Sequence, residues 1–186
     1  MQIAQRLYQG IDIEGDTIGL ITYMRTDGTN ISKDAIETFR SYISDNFGKN
    51  YLPQSSLNYS GKKAKNAQEA HEAIRPTEIS RNPESLKKYL SSDQYKLYNL
   101  IWSRALSSQM ESAKFDRKTI TITSKDKENI FKASGSVLKF DGYLKLTNIE
   151  DENENEKILP DVEKGSVNIN EFIDEQHFTQ TPPRYS

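Results

Sequence analysis

The 186 residues carry 25 Lys and Arg against 27 Asp and Glu, a net charge of −2, and no cysteine. This excludes a disulfide framework, a thiolate zinc site and the strongly basic surface of a protein that coats nucleic acid. At 34 % apolar, 28 % charged and 10 % aromatic the chain is poorer in apolar residues than the ~45–50 % usual for globular domains, which predicts a modest core under much solvated surface rather than wholesale disorder.

The first expected element is a short helix on Ile3, Ala4 and Leu7, stopped by Gly10. Ile11–Asp16 reads as an exposed turn, and Ile18–Met24 as a buried, extended apolar stretch. A helix capped by Ser32 carries Ala35, Ile36, Phe39, Tyr42, Ile43 and Phe47 on one stripe and ends at Gly48. Asn50–Asn66 has no periodicity and reads as a mildly basic loop around Lys62, Lys63 and Lys65, followed by one or two helical turns over Gln68–Ile74, broken at Pro76. Asn82-Pro83-Glu84 is a helix start with an N-cap, a proline at the first position and an early acid. A further helix runs from about Asp93 to Met110 on Tyr95, Tyr98, Ile101, Trp102, Ala105 and Leu106.

After about residue 115 the period changes from 3.6 to 2. Thr119–Thr123 alternates, and Ile130–Ala133, Val137–Phe140, Tyr143–Leu146 and Val167–Phe172 continue as short strands. Glu150–Glu156 is an acidic low-complexity loop. Charge follows this division: residues 1–118 hold 17 basic and 14 acidic side chains, and residues 119–186 hold 8 and 13. The expected fold class is α+β, with a helical front and a β back.

No apolar run reaches the ~18 residues of a membrane span, and the first residues lack the apolar core of a signal peptide. Two histidines, His71 and His177, lie too far apart in sequence to argue for a histidine metal site. The chemistry-bearing stretch is Gly19–Asp27. If it is extended, Tyr23, Arg25 and Asp27 share one side. A free tyrosine hydroxyl ionises near ~10 and is a poor nucleophile at neutral pH. A neighbouring guanidinium stabilises developing phenolate and forks onto a phosphate, the pairing that attack on a phosphodiester requires. The same spacing also describes a tyrosine at a strand end beside a surface ion pair, and spacing alone favours that plainer reading.

Leu20-Ile21-Thr22-Tyr23-Met24-Arg25-Thr26-Asp27 resembles the active-site signature of type IA DNA topoisomerases, and the Met1–Tyr8 helix resembles the one that precedes it. Gln68–Thr77 is similar to the family's second signature and Phe178–Ser186 to a third, so the resemblance extends across essentially the whole chain. Met24, where a proline would precede the arginine in topoisomerase III, is more similar to bacterial topoisomerase I. The resemblance implies that Tyr23 is the nucleophile, linked transiently to the 5′ phosphate of a cut strand, with religation that needs no ATP. It implies that Arg25 positions the scissile phosphate, and that Arg25, Asp27, His71, Arg75 and Arg184 are the DNA-binding residues. His71 has an alternative reading as a structural histidine capping a short helix.

Two departures stand out. Gly28 occupies a place where serine is more usual, which is expected to relax the turn, and Thr181 replaces a common proline. The family's Toprim domain, with its Mg²⁺-binding acids, has no counterpart in the sequence. The chain is therefore expected to be a central fragment that binds no metal itself, Mg²⁺ belonging to the Toprim domain. The expected organisation is a helical domain with the nucleophilic tyrosine over 1–112, a β-rich arch segment over 113–175 and the start of a further helical region over 176–186. Expected partners are DNA, single-stranded at the cut site, and the parent's Toprim and C-terminal domains, with no membrane. The expected state is a monomer in the bacterial cytoplasm, at the nucleoid, inactive without its other domains. The alternatives are a non-catalytic module that binds single-stranded DNA or a partner, and a truncation that folds poorly because its β part lacks partner strands.

Overall fold

The computed structural model describes residues 1–59, 71–147, 159, 162–168, 171 and 173–179. Its elements are α1 (Gln2–Gln9), β1 (Ile11–Ile13), β2 (Asp16–Ile18), α2 (Lys33–Asn46), α3 (Pro83–Leu86), α4 (Ser92–Ser107), β3 (Lys114–Thr123) and β4 (Ile130–Phe140), with 3₁₀ turns at Lys49–Tyr51 and Gly142–Lys145. The architecture is α+β: a helical unit followed by an antiparallel two-stranded hairpin.

The helix boundaries follow local chemistry. Ser32 Oγ accepts the Ala35 N–H, and Gly48, at φ +101°, closes α2 by donating back to Ile43 and Ser44. Asn82 caps α3 through the Ser85 N–H. At α4 the cap is Ser91, two residues earlier than the periodicity suggests, because Ser91 and Gln94 form a reciprocal capping box.

The core lies between α1, α2, α4 and the extended stretch after β2. Leu7, Leu20, Ile21, Phe39, Ile43, Ile79, Tyr98, Trp102, Leu106 and Met110 are all nearly inaccessible. Each large apolar side chain fully buried there contributes about 1.5–3 kcal/mol. The buried polar ends are satisfied: Trp102 Nε1 donates to the Ile79 carbonyl at 2.9 Å and Tyr98 Oη to the Arg81 carbonyl at 2.7 Å. Burial pushes the Tyr98 hydroxyl far above its ordinary range.

Several expectations are corrected. Ile11–Asp16 is not merely an exposed turn. It belongs to the hairpin β1–β2, whose two turn residues, Glu14 and Gly15, have φ of +57° and +96°, the signs of a primed turn. His71–Ile74, expected to be helical, is irregular and tied to its neighbours by long-range hydrogen bonds. The two short strands expected at Ile130–Ala133 and Val137–Phe140 are one continuous β4, and β3 begins five residues before Thr119. Tyr143–Leu146 lies in and just beyond a 3₁₀ turn rather than in a strand, because Phe140 turns inward onto Tyr51 and the chain must bend to follow. Val167, Asn168 and Glu171, the described part of the last expected strand, lie in no ladder. The Lys62–Lys65 loop, the acidic Glu150–Glu156 run and Arg184 lie outside the described residues.

The β3–β4 hairpin extends from the helical unit with apolar groups exposed on it, among them Phe115, Ile130, Phe131 and Leu138. Its root is anchored. Tyr51 Oη donates to Asp141 Oδ1 at 2.7 Å, the Phe140 and Tyr51 rings are 4.9 Å apart, and the Tyr143 N–H reaches the Glu111 carbonyl at 3.0 Å.

Candidate active site

Tyr23 stands where the buried stretch emerges. Leu20 and Ile21 are buried, and their backbone is held from both sides: Leu20 N–H donates to the Leu7 carbonyl at 2.7 Å, and the Leu20 carbonyl accepts the Thr77 N–H at 3.0 Å. Ile21 makes an isolated antiparallel bridge with Pro76. Thr22 N–H donates to the Arg75 carbonyl at 2.9 Å, and Thr22 Oγ1 donates to the Ala73 carbonyl at 2.8 Å. The next side chain, Tyr23, is 44 % exposed, and its hydroxyl has no hydrogen-bond partner among the described residues. Its ring is fixed between two others. Tyr8 of α1 meets it edge-on at 5.3 Å and 70°, and His71 lies at 5.5 Å and 39°.

The Arg25–Asp27 pair expected from spacing is present, and Asp27 also faces His71. Arg25 Nε lies 2.8 Å from Asp27 Oδ2, and His71 Nδ1 lies 3.4 Å from Asp27 Oδ1, without hydrogen-bond geometry. The Arg25 contact is an ion pair without hydrogen-bond geometry. Arg25 is 59 % exposed as a side chain, and its guanidinium donates no hydrogen bond among the described residues, which leaves it open to another acceptor. That is the fork a phosphate accepts. Tyr23, Arg25, Asp27 and His71 are therefore brought together at one surface by two chain segments about fifty residues apart in sequence.

Arg75 is placed differently. Its side chain is 14 % exposed and bound to Glu72, with Nε to Oε1 at 2.8 Å and Nη2 to Oε2 at 3.1 Å, while Nη1 donates to the Pro76 carbonyl at 2.9 Å. Burial alone would raise the Glu72 carboxyl. The hydrogen bonds from Arg75 and the Ser32 backbone outweigh it and hold Glu72 below its ordinary value. Sequence reasoning did not find Thr22 or Glu72 in these roles, and it placed Tyr8 only at the end of the first helix. No one-dimensional spacing joins residue 22 to residue 75. The loop after Asp27 also lines a cleft of about 650 Å³ with Tyr59, Arg104, Met110 and Tyr143.

A family model described as DNA topoisomerase matches residues 1–186. The chain belongs to the DNA topoisomerase family. DNA topoisomerase 1 of Rickettsia felis is 52 % identical over 190 residues, which cover all of this chain and 24 % of that protein. DNA topoisomerase 1 of Helicobacter pylori is 44 % identical over 187 residues, all of this chain and 25 % of that protein. The solved structure of full-length topoisomerase I from Thermotoga maritima superposes with a TM-score of 0.71 at 38 % identity, covering 89 % of this chain and 25 % of that one. The chain spans about a quarter of the length of these topoisomerase relatives.

Proposed function

We propose that the chain is the strand-cutting segment of a type IA DNA topoisomerase that relaxes negatively supercoiled DNA. The observation that carries this reading is Tyr23, half exposed with a hydroxyl unpartnered among the described residues, two positions from an exposed arginine whose guanidinium donates no hydrogen bond there.

The reaction is a transesterification. Tyr23 Oη attacks the phosphorus of one strand, loses its proton, and forms an oxygen–phosphorus bond to the 5′ phosphate. The bond to the 3′ oxygen breaks, and that oxygen leaves as a hydroxyl. In religation the 3′ hydroxyl attacks the same phosphorus and Tyr23 departs, so the phosphodiester energy is conserved without ATP. Arg25 holds the non-bridging oxygens where charge develops, Asp27 orients Arg25 through Nε, and Tyr8 and His71 keep the phenol ring in place. His71 also lies close enough to the ring to meet the strand.

Mg²⁺ belongs to the Toprim domain of the parent enzyme in this proposal. Among the described residues no three His, Asp or Glu side chains converge to hold a metal, and no step above passes through one. In the same reading 1–112 is the helical tyrosine domain, 113–175 the arch segment and 176–186 the start of another helical region. The partners are single-stranded DNA and the remaining domains, and the setting is the bacterial cytoplasm with a monomeric enzyme. No helix among the described residues is long and apolar enough to cross a membrane. The chain by itself is expected to be inactive.

The test is covalent capture. The chain is mixed with end-labelled single-stranded DNA and Mg²⁺, with and without a type IA Toprim domain, and denatured. An adduct on Tyr23 through a 5′ phosphate, dependent on that domain, supports the proposal. With both parts folded and associated, no adduct in either mixture points to a non-catalytic DNA-binding module.

A further inference from the structure

The family resemblance implies that Arg75 contacts DNA, yet its guanidinium is turned inward and largely committed. Three of its nitrogens donate to Glu72 and to the Pro76 carbonyl, and the Glu72 carboxylate neutralises its charge. A guanidinium paired in this way has no free fork for a phosphate.

The ion pair instead sits in a knot of long-range bonds. Glu72 Oε1 also accepts the Ser32 backbone N–H at 3.0 Å, at the start of α2. The Arg75 backbone N–H donates to Thr22 Oγ1 at 3.0 Å, while its carbonyl accepts the Thr22 N–H at 2.9 Å. The Ala73 N–H donates to the Asn30 carbonyl at 2.8 Å. Thr22 is the neighbour of Tyr23, and Glu72 is the neighbour of His71. The knot therefore joins the stretch that ends at the tyrosine, the loop that leads into α2 and the segment that carries the histidine.

We propose that Glu72 and Arg75 are positioning residues, not DNA contacts, and that their ion pair sets the register between Tyr23 and His71. The proposal rests on the reading of Tyr23 as nucleophile. The fit demands arginine: the planar fork satisfies both carboxylate oxygens and the Pro76 carbonyl at once, which a lysine ammonium does not. Without the pair, segment 72–76 loses its tie to Ser32. A drift of about 1 Å at the reacting groups costs about a hundredfold in rate.

The test uses the full-length enzyme that carries this segment, as wild type, Arg75→Lys, Glu72→Gln and Thr22→Val. Two quantities are measured: affinity for single-stranded DNA across a salt series, and the rate at which bound DNA is captured as adduct. A positioning role leaves affinity and salt slope at wild-type values and lowers the capture rate about ten- to a hundredfold in all three variants. A phosphate contact at Arg75 gives a different pattern: Arg75→Lys changes affinity, Glu72→Gln tightens binding by freeing the arginine, and each contact is worth about 0.7 in the slope. That pattern, with bound DNA captured at the wild-type rate, overturns the proposal. So does wild-type behaviour in both measurements.

Thermal unfolding checks that each variant folds. If Arg75→Lys does not, Glu72→Gln decides, since it breaks the charge pair while leaving the arginine itself in place. A Tyr23→Phe enzyme that still forms adduct refutes the nucleophile assignment instead, whatever Arg75→Lys does.

Discussion

A side chain at position 28 has no room. A Cβ built on Gly28 falls 1.6 Å from the His71 carbonyl oxygen and 2.6 Å from its carbon, where ordinary contact begins at 3.4 Å. The two backbones must separate by roughly 2 Å to restore van der Waals distance. The glycine is needed for this close approach and not for its torsion angles, because Gly28 is not among the residues with positive φ. Gly28→Ser, which installs the residue more usual in the resembling family, is therefore expected to push Asp27 and loop 28–30 away from His71. The Asp27–His71 approach of 3.4 Å and the Ala73–Asn30 hydrogen bond lie next to the point of strain. Overpacking of this kind costs about 1–3 kcal/mol, and at about 2–4 °C per kcal/mol for a chain of this size the midpoint falls by roughly 2–12 °C. Adduct formation in the full-length enzyme falls with it, about a hundredfold for each ångström of displacement at the site. Scanning calorimetry and covalent capture measure the two effects. A Gly28→Ser protein with an unchanged midpoint and unchanged capture would show that the close approach of the two segments does not hold this site together.

Tyr23→Phe is expected to abolish the adduct while moving stability by less than about 0.5 kcal/mol, as for a surface substitution, because the lost hydroxyl has no partner among the described residues; capture and a melting curve decide it. Arg25→Lys keeps the charge but loses the Nε contact to Asp27 at 2.8 Å, so cleavage should drop about tenfold or more, and single-turnover cutting at the wild-type rate would remove Arg25 from the mechanism. Leu106→Ala empties a fully buried position and should cost about 2–5 kcal/mol, read by denaturant unfolding. Glu72 gives a pH signature. Its carboxyl is held below the ordinary 4.5 in the folded chain, so its stabilisation is complete above that value and lost as pH falls through the lowered native one. As pH falls from the ordinary glutamate value through the lowered native one, the wild type should lose stability more steeply than Glu72→Gln, and parallel curves would refute the assignment.

The comparison of sequence and structure divides by range. Helices α1, α2, α3 and α4 were legible because each carries its own instructions in adjacent residues: an apolar stripe, a capping side chain at Ser32 or Asn82, a stop at Gly10 or Gly48, although the Ser91 cap of α4 and its end at Ser107 were not read. The turn at Glu14-Gly15 was legible, but not the short strands on either side, since three-residue strands have too few alternations to read. Segment 71–76 was misread because its hydrogen bonds run to residues 22, 30 and 32, and helical propensity lost to those distant partners. The inward turn after Phe140 was also invisible, because it depends on Tyr51 and Glu111.

By itself the sequence determined the α+β class, the approximate positions of α1 to α4, the candidate tyrosine and arginine, and the family. Only the tertiary structure decided that the His71 ring packs directly against Tyr23 while also facing Asp27, that Arg75 turns inward to Glu72, and that Gly28 makes space for another backbone. The first set depends on chemistry between residues a few positions apart. The second depends on which surfaces meet after the core of Leu7, Leu20, Phe39 and Leu106 has closed, and burial, not spacing, settles which polar groups must pair with one another.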